Sequence, residues 1–267
     1  MNKVLLTVGI LCFLVPLGLQ YIDKKEQKNV IETFESEMED READEIDVIM
    51  KKAKEYNQKL FELQSGVVES AIYDDEYDMN YATQLRMSKT GIMGELAIPK
   101  IDLKLPVYHG TGAEVLAIGI GHLEGSSLPI GGENSHAVLT GHRGLPSAEL
   151  FTRLDEVEEG DEFFVQVGKQ RMFYEVVETK VVVPEDVSSV KIEEGKDKVS
   201  LVTCTPYGIN THRLIVIGER SEVHDVEMKV AQLEKLGENE DEKKMWILVP
   251  IVMVGGTVAV VIRRRCK

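Results

Sequence analysis

The middle of this 267-residue chain predicts a mainly β fold: a closed β-barrel of about eight strands with short helices. N-terminal helices and two transmembrane helices complete the expected architecture. Three observations carry the prediction. From residue 91 onward, short runs rich in Val, Ile, Leu and Phe alternate with Gly, Pro and Asp punctuation. Upstream, residues 24–64 keep a helical spacing of apolar residues with no Pro or Gly. A long uncharged, mainly apolar segment, interrupted in 4–22 only by Thr7 and Gln20, also lies near each end of the chain.

The first apolar segment is 4–22, VLLTVGILCFLVPLGLQYI. At about 1.5 Å of rise per residue it just spans a hydrocarbon core. Its positive flank is Lys3 within a three-residue stub (1–3), and no Ala-x-Ala site follows. An uncleaved signal anchor is therefore favoured over a cleaved signal peptide. The second segment is 246–262, WILVPIVMVGGTVAVVI, entered through Trp246, an interfacial anchor, and left through Arg263, Arg264 and Arg265 in the tail 263–267. Positive residues stay on the cytoplasmic side, so both termini are expected inside and 23–245 outside the membrane. Lys24, Lys25 and Lys28 weigh the other way.

The net charge is −15, with acidic runs at 32–46 and 237–242. Phosphate backbones require a basic face, so nucleic acid is excluded as a partner.

Residues 23–64 form the N-terminal helical region. Ile49, Ala53, Tyr56, Leu60 and Leu63 recur at alternating four- and three-residue steps, predicting one buried stripe. Val30, Phe34 and Met38 form an earlier helix, jointed at 39–45. Residues 65–90 are polar and irregular. The β domain occupies 91–222, with strands at 93–98, 101–107, 136–140, 162–167, 171–183, 198–203 and 213–218. Gly168-Lys169-Gln170 reads as a hairpin turn. Short helices are expected at 113–118 and 147–154, the second capped by Ser147 with Leu150, Phe151 and Leu154 inward. A charged linker, 223–245, leads to the second span.

Of three cysteines, Cys12 lies in the first span and Cys266 in the basic tail, leaving Cys204 alone in the exported part. It has no intrachain partner for a disulfide there. It is either an inert apolar residue, one half of an intermolecular bridge, or a reactive thiol. The strands at 198–203 and 213–218, joined by a loop containing Pro206 and Gly208, bring Cys204 and Arg213 to one rim. A nucleophilic thiol needs a proton acceptor or a nearby cation, and acyl transfer needs a group to stabilise an oxyanion. His109, His122, His136, His142, His212 and His224 are the candidate bases. His142 sits where an apolar run exits into a loop, and His122 in GIGHLEG is placed almost as well. Spacing does not choose between them.

Resemblance does. The segment LVTC ending at Cys204, followed by Arg213, resembles the Leu-x-Thr-Cys…Arg signature of the sortases. HAVLTGHRGLPSAELFTRLDEVEEGD (136–161) is similar to the histidine segment of class C, pilus-assembling members, and 94–111 and 119–133 resemble the same subgroup. The likeness covers roughly 91–220. It implies Cys204 as nucleophile, His142 as general acid/base and Arg213 as oxyanion or substrate stabiliser. It implies secreted pilin or surface proteins with Leu-Pro-x-Thr-Gly-like sorting signals as partners, a membrane-bound enzyme on a Gram-positive surface, and no metal or cofactor. The acceptor amine is expected from a pilin lysine, or alternatively from a peptidoglycan cross-bridge. A catalytically silent envelope scaffold is the reading from another class. Class C members often carry a lid with an Asp-Pro-aromatic motif. Here 70–81, SAIYDDEYDMNY, lacks the Pro, yet Asp74, Asp75, Tyr77 and Asp78 supply an acid and an aromatic ring; a solvated linker is the competing reading.

Overall fold

The computed structural model describes residues 25–66 and 80–221, together with Val15 and Ile22. The chain divides into two units, Met1–Ser221 and Glu222–Lys267, and the second lies outside the described residues. So do both expected membrane spans, apart from Val15 and Ile22. Among the described residues no helix is long and apolar enough to cross a membrane.

Two helices open the described part: α1 over residues 25–40 and α2 over Ala43–Gln64. They break at Arg41–Glu42, inside the expected acidic joint. Arg41 ties the break to the barrel by donating to the Met87 carbonyl at 2.8 Å. Ile31, Phe34 and Met38 bury the inner face of α1. On α2 the buried residues are Ile46, Met50, Ala53, Tyr56 and Asn57. The stripe is thus rotated from the expected Ile49–Leu63 line, with Ile49 and Leu60 only partly covered. A polar residue causes the offset. Asn57 donates to the Leu128 carbonyl at 3.0 Å and accepts from the Leu128 N–H at 2.7 Å, satisfying backbone groups that no strand reaches. Lys104 links α1 to the barrel, lying 2.8 Å from Glu35 and 3.2 Å from the fully buried Glu95.

Eight strands follow: β1 Ile92–Ile98, β2 Leu103–His109, β3 Ile120–His122, β4 Ser135–Thr140, β5 Glu162–Val167, β6 Gln170–Val182, β7 Asp197–Thr205 and β8 His212–Arg220. They close into a barrel in the order β1-β2-β3-β4-β7-β8-β6-β5. Closure leaves no long free edge between β1 and β5, which pair through 95–97. Two pairings are parallel, β2 with β3 and β4 with β7; the rest are antiparallel. The short helix α3, Ala113–Ile118, makes the β2–β3 crossover. The barrel interior is filled by alternate residues, among them Leu96, Leu105, Leu139, Phe163, Val165, Leu201 and Val216.

Three expectations change. β3 was not anticipated; three residues carry too little periodicity to stand out. The second strand starts at Leu103 because Pro99–Ile101 forms a 3-10 turn and Asp102 adopts φ +50°. Residues 147–149 are irregular and 150–153 form a turn leading into a 3-10 turn at Leu154–Glu156, rather than a helix capped by Ser147. Their backbone bonds outward: Phe151 N–H donates to the His142 carbonyl at 3.0 Å, and Leu150 sits at φ +39°. The inward residues Leu150, Phe151 and Leu154 are nonetheless buried as their apolar character requires.

Candidate active site

Period-two alternation builds the site. On β4, Leu139 points into the barrel while Val138 and Thr140 face outward, and His142 continues that outward row. On β7, Leu201 and Thr203 are buried, while Val202 and Cys204 face out. On β8, Leu214 is interior, and Arg213 and Ile215 share the outer face. These outward rows form the floor of one groove of about 450 Å³. Its outer wall is the end of β6 and the β6–β7 connection: Val182, Val183, Pro184, Val187 and Val190. Cys204, His142 and Arg213 thus line one apolar-walled channel.

Register sets their mutual heights. Cys204 and Arg213 are directly opposite in the antiparallel β7–β8 ladder, and opposite residues share a face with their Cβ atoms about 5 Å apart. The parallel β4–β7 ladder keeps a constant offset from Ser135↔Asp197 to Thr140↔Val202. Beyond its end, Gly141 N–H donates to the Val202 carbonyl at 3.1 Å, and the Thr203 hydroxyl donates to the Gly141 carbonyl at 2.7 Å. Carried two residues beyond the ladder, the same offset makes Cys204 the position matching His142.

Close packing supports the turn. A Cβ on Gly141 would lie 2.7 Å from the Phe151 ring, and Gly144, at φ +77°, would bring one to 2.9 Å from Tyr207. Arg213 Nη1 donates to the carbonyls of Asn210 at 3.3 Å and His212 at 3.1 Å, holding the guanidinium against the β7–β8 loop.

The other histidines do different work. His122, the rival candidate, ends β3 and is fully buried. Its Nε2–H donates to the Ser127 carbonyl at 2.8 Å, so Nδ1 accepts from the Tyr81 hydroxyl at 2.9 Å. This is a neutral ring with both nitrogens engaged. His136 is also buried; Nδ1–H donates to the Lys191 carbonyl at 2.8 Å and Nε2 accepts from Ser200 Oγ at 2.7 Å. It therefore staples the groove's outer wall to β4. His109 donates to the Gln84 carbonyl at 2.6 Å, and His212 lies against Thr211. His224 lies outside the described residues, as do Asp74, Asp75, Tyr77 and Asp78.

Burial lowers the His122 pKa from the ordinary value near 6.5 to about 4. As pH falls through 6.5 the unfolded chain takes up a proton that the folded chain refuses. The stability contributed by neutral His122 is thus present above about pH 6.5 and lost toward pH 4, a loss of about 3 kcal/mol. His136 shifts the same way, whereas the raised carboxyls of Glu95 and Asp197 act oppositely. The informative quantity is therefore the unfolding free energy of wild type minus that of His122→Gln, from urea titrations. That difference should fall by about 3 kcal/mol from pH 7 to pH 4; a flat difference would contradict the assignment.

Strand register and groove together define a class: a closed-barrel protein that gathers a thiol, an imidazole and a guanidinium on one groove, a set suited to acyl transfer through a thioester. Comparison with known proteins agrees. The sortase domain family matches residues 96–221. The crystal structure of sortase C1 from Streptococcus agalactiae superposes with a TM-score of 0.65 at 42% identity, covering 72% of this chain and 98% of that one. Clostridium perfringens sortase C, solved with the C-terminal cell wall sorting motif, gives 0.62 at 39% identity, covering 73% and 98%. Sortase D of Bacillus subtilis (strain 168) is 37% identical over 130 residues, 48% of this chain and 63% of that protein, so the matched part is just under two-thirds of this curated relative. The chain belongs to the sortase family, the cysteine transpeptidases, and its structural neighbours are class C members.

Sequence reasoning missed what surrounds the trio: the apolar wall 182–190, the Thr203 latch, and Arg143. Thr203 and Arg143 were each visible as the immediate neighbour of a candidate residue.

Proposed function

We propose that this chain is a membrane-anchored cysteine transpeptidase that cleaves a Leu-Pro-x-Thr-Gly-like sorting signal and joins the new Thr carbonyl to an amine, a pilin lysine in pilus assembly. The convergence of Cys204, His142 and Arg213 on one apolar-walled groove carries this reading. The Val-rich wall suits the Leu and Pro side chains of an extended peptide. Cys204 Sγ attacks the Thr carbonyl carbon, and Arg213 stabilises the oxyanion. The Thr–Gly C–N bond then breaks as protonated His142 gives its proton to the departing Gly amine. The incoming amine attacks the thioester, loses a proton to His142, and expels the Cys204 thiolate. Spans 4–22 and 246–262 hold the barrel at the outer membrane face.

The test is capture of the intermediate. Incubating the protein with a Leu-Pro-x-Thr-Gly peptide and no acceptor should add the mass of the peptide through Thr to the tryptic fragment containing Cys204. A pilin lysine peptide should then release it as an isopeptide faster than a peptidoglycan cross-bridge peptide does. Release by the cross-bridge peptide alone would replace pilus assembly with wall anchoring. No adduct under turnover conditions, with the thiol reactive only after denaturation, would favour the silent scaffold.

A further inference from the structure

Arg143 follows His142 in the chain, and its guanidinium does not reach solvent as a surface arginine would. The side chain is 9% exposed. Nη1 donates to the Thr205 hydroxyl at 3.2 Å, and Nη2 lies 2.6 Å from Asp155 Oδ2 on the 3-10 turn Leu154–Glu156. Nε is buried with no acceptor among the described residues. A cation buried with one donor unsatisfied is a poor way to gain stability, because an apolar side chain would fill the space without the desolvation cost.

The contacts it makes are specific in position. Thr203→Gly141 and Arg143→Thr205 each join residues 62 apart, the offset that also separates His142 from Cys204. One tether links the residue before His142 to the residue before Cys204, and the other links the two residues that follow. The β4–β7 ladder ends at Thr140↔Val202, so backbone pairing alone does not hold His142 in register. The two side-chain bonds continue the register where the ladder has stopped. Asp155 anchors the guanidinium from a third side, and in the preceding turn Thr152 Oγ1 receives the Gly144 N–H at 3.1 Å.

We propose that Arg143 is a positioning residue: its buried fork on Thr205 and Asp155, paired with the Thr203–Gly141 latch, brackets His142 at the height of Cys204. This inference rests on the transpeptidase reading above. Reacting groups lose much of their rate when misplaced by about 1 Å. Losing one arm of the bracket should therefore lower the rate of acyl transfer and leave peptide binding, which the groove wall governs, nearly untouched.

The experiment measures steady-state cleavage of a Leu-Pro-x-Thr-Gly peptide by the full chain. Arg143→Met and Thr205→Val should each lower kcat by about 10- to 100-fold with KM within about twofold of wild type. Thr205→Ser, which keeps the hydroxyl, should recover most of the kcat. The double variant should be no slower than the worse single variant, because both remove the same link. Thr205→Val is close to isosteric and covers the case in which Arg143→Met does not fold. Wild-type kcat in Thr205→Val, losses confined to KM, failure of Thr205→Ser to recover, or losses that multiply would each overturn the proposal. Cleavage persisting in Cys204→Ala would instead overturn the transpeptidase reading itself, so the two failures are distinct.

Discussion

Replacing Cys204 with alanine is expected to lower kcat/KM for a sorting-signal peptide by more than about 1,000-fold, at least about 4 kcal/mol of transition-state stabilisation. In the proposed mechanism the thiol bonds to the substrate carbonyl, and no other cysteine lies among the described residues. His142→Ala should cost a similar amount, since without it the leaving Gly amine departs unprotonated. The two losses should not add. Once the thioester cannot form, the proton donor has nothing to act on, so the double variant should match Cys204→Ala. Stability should barely change, because Cys204 and His142 are half-buried on the groove face, outside the barrel core. Peptide cleavage followed by chromatography, alongside urea unfolding, separates the two effects. Undiminished turnover in Cys204→Ala would sink the mechanism. A loss of folding equal to the loss of activity would leave the thiol only a packing role.

Arg213 carries the second large effect. It stands opposite Cys204 in the β7–β8 ladder. Among the described residues both of its hydrogen bonds run through Nη1. A guanidinium has five N–H donors, so most of its donor capacity is available to a tetrahedral oxyanion. Arg213→Ala should lower kcat by about 100- to 1,000-fold, the range for losing an oxyanion donor. Arg213→Lys should lie between, because the ammonium keeps the charge and loses the planar fork. The partition between constants tells which role applies. A fall in kcat at constant KM marks oxyanion stabilisation. A rise in KM at constant kcat marks substrate binding, and no change in either removes Arg213 from the site.

The apposition of Cys204 and Arg213 was legible because an antiparallel hairpin with a short Pro- and Gly-containing loop is a local object. Its register follows from alternation in two neighbouring runs. The long strands were legible for the same reason, since 162–167 and most of β6 alternate or carry β-branched residues along their length. The turn at Gly168 also emerged, although Gln170 already belongs to β6 and pairs with Val167.

Other features needed contacts that no local window contains. His142 was separable from His122 only by resemblance, and geometry separates them by solvation. One ring lines an open groove; the other is buried with both nitrogens bonded. The buried face of α2 includes Asn57, which bonds to Leu128, 71 residues away. Residues 147–153 do not form a helix; the Phe151 N–H bonds across to the His142 carbonyl, and Thr152 Oγ1 accepts from the Gly144 N–H.

By itself, then, the amino-acid sequence determined the closed β-barrel class, the two N-terminal helices, the solitary thiol and the arginine beside it. All of these follow from periodicity, composition and short loops. Only the tertiary structure decided how His122 is buried away from the groove that His142 lines, what walls that groove and what Arg143 contacts. These depend on the parallel pairing of β4 with β7, whose register spans 62 residues and two intervening strands. Such a register is set by which side chains fit together in the closed barrel, and no stretch of chain between the partners encodes it.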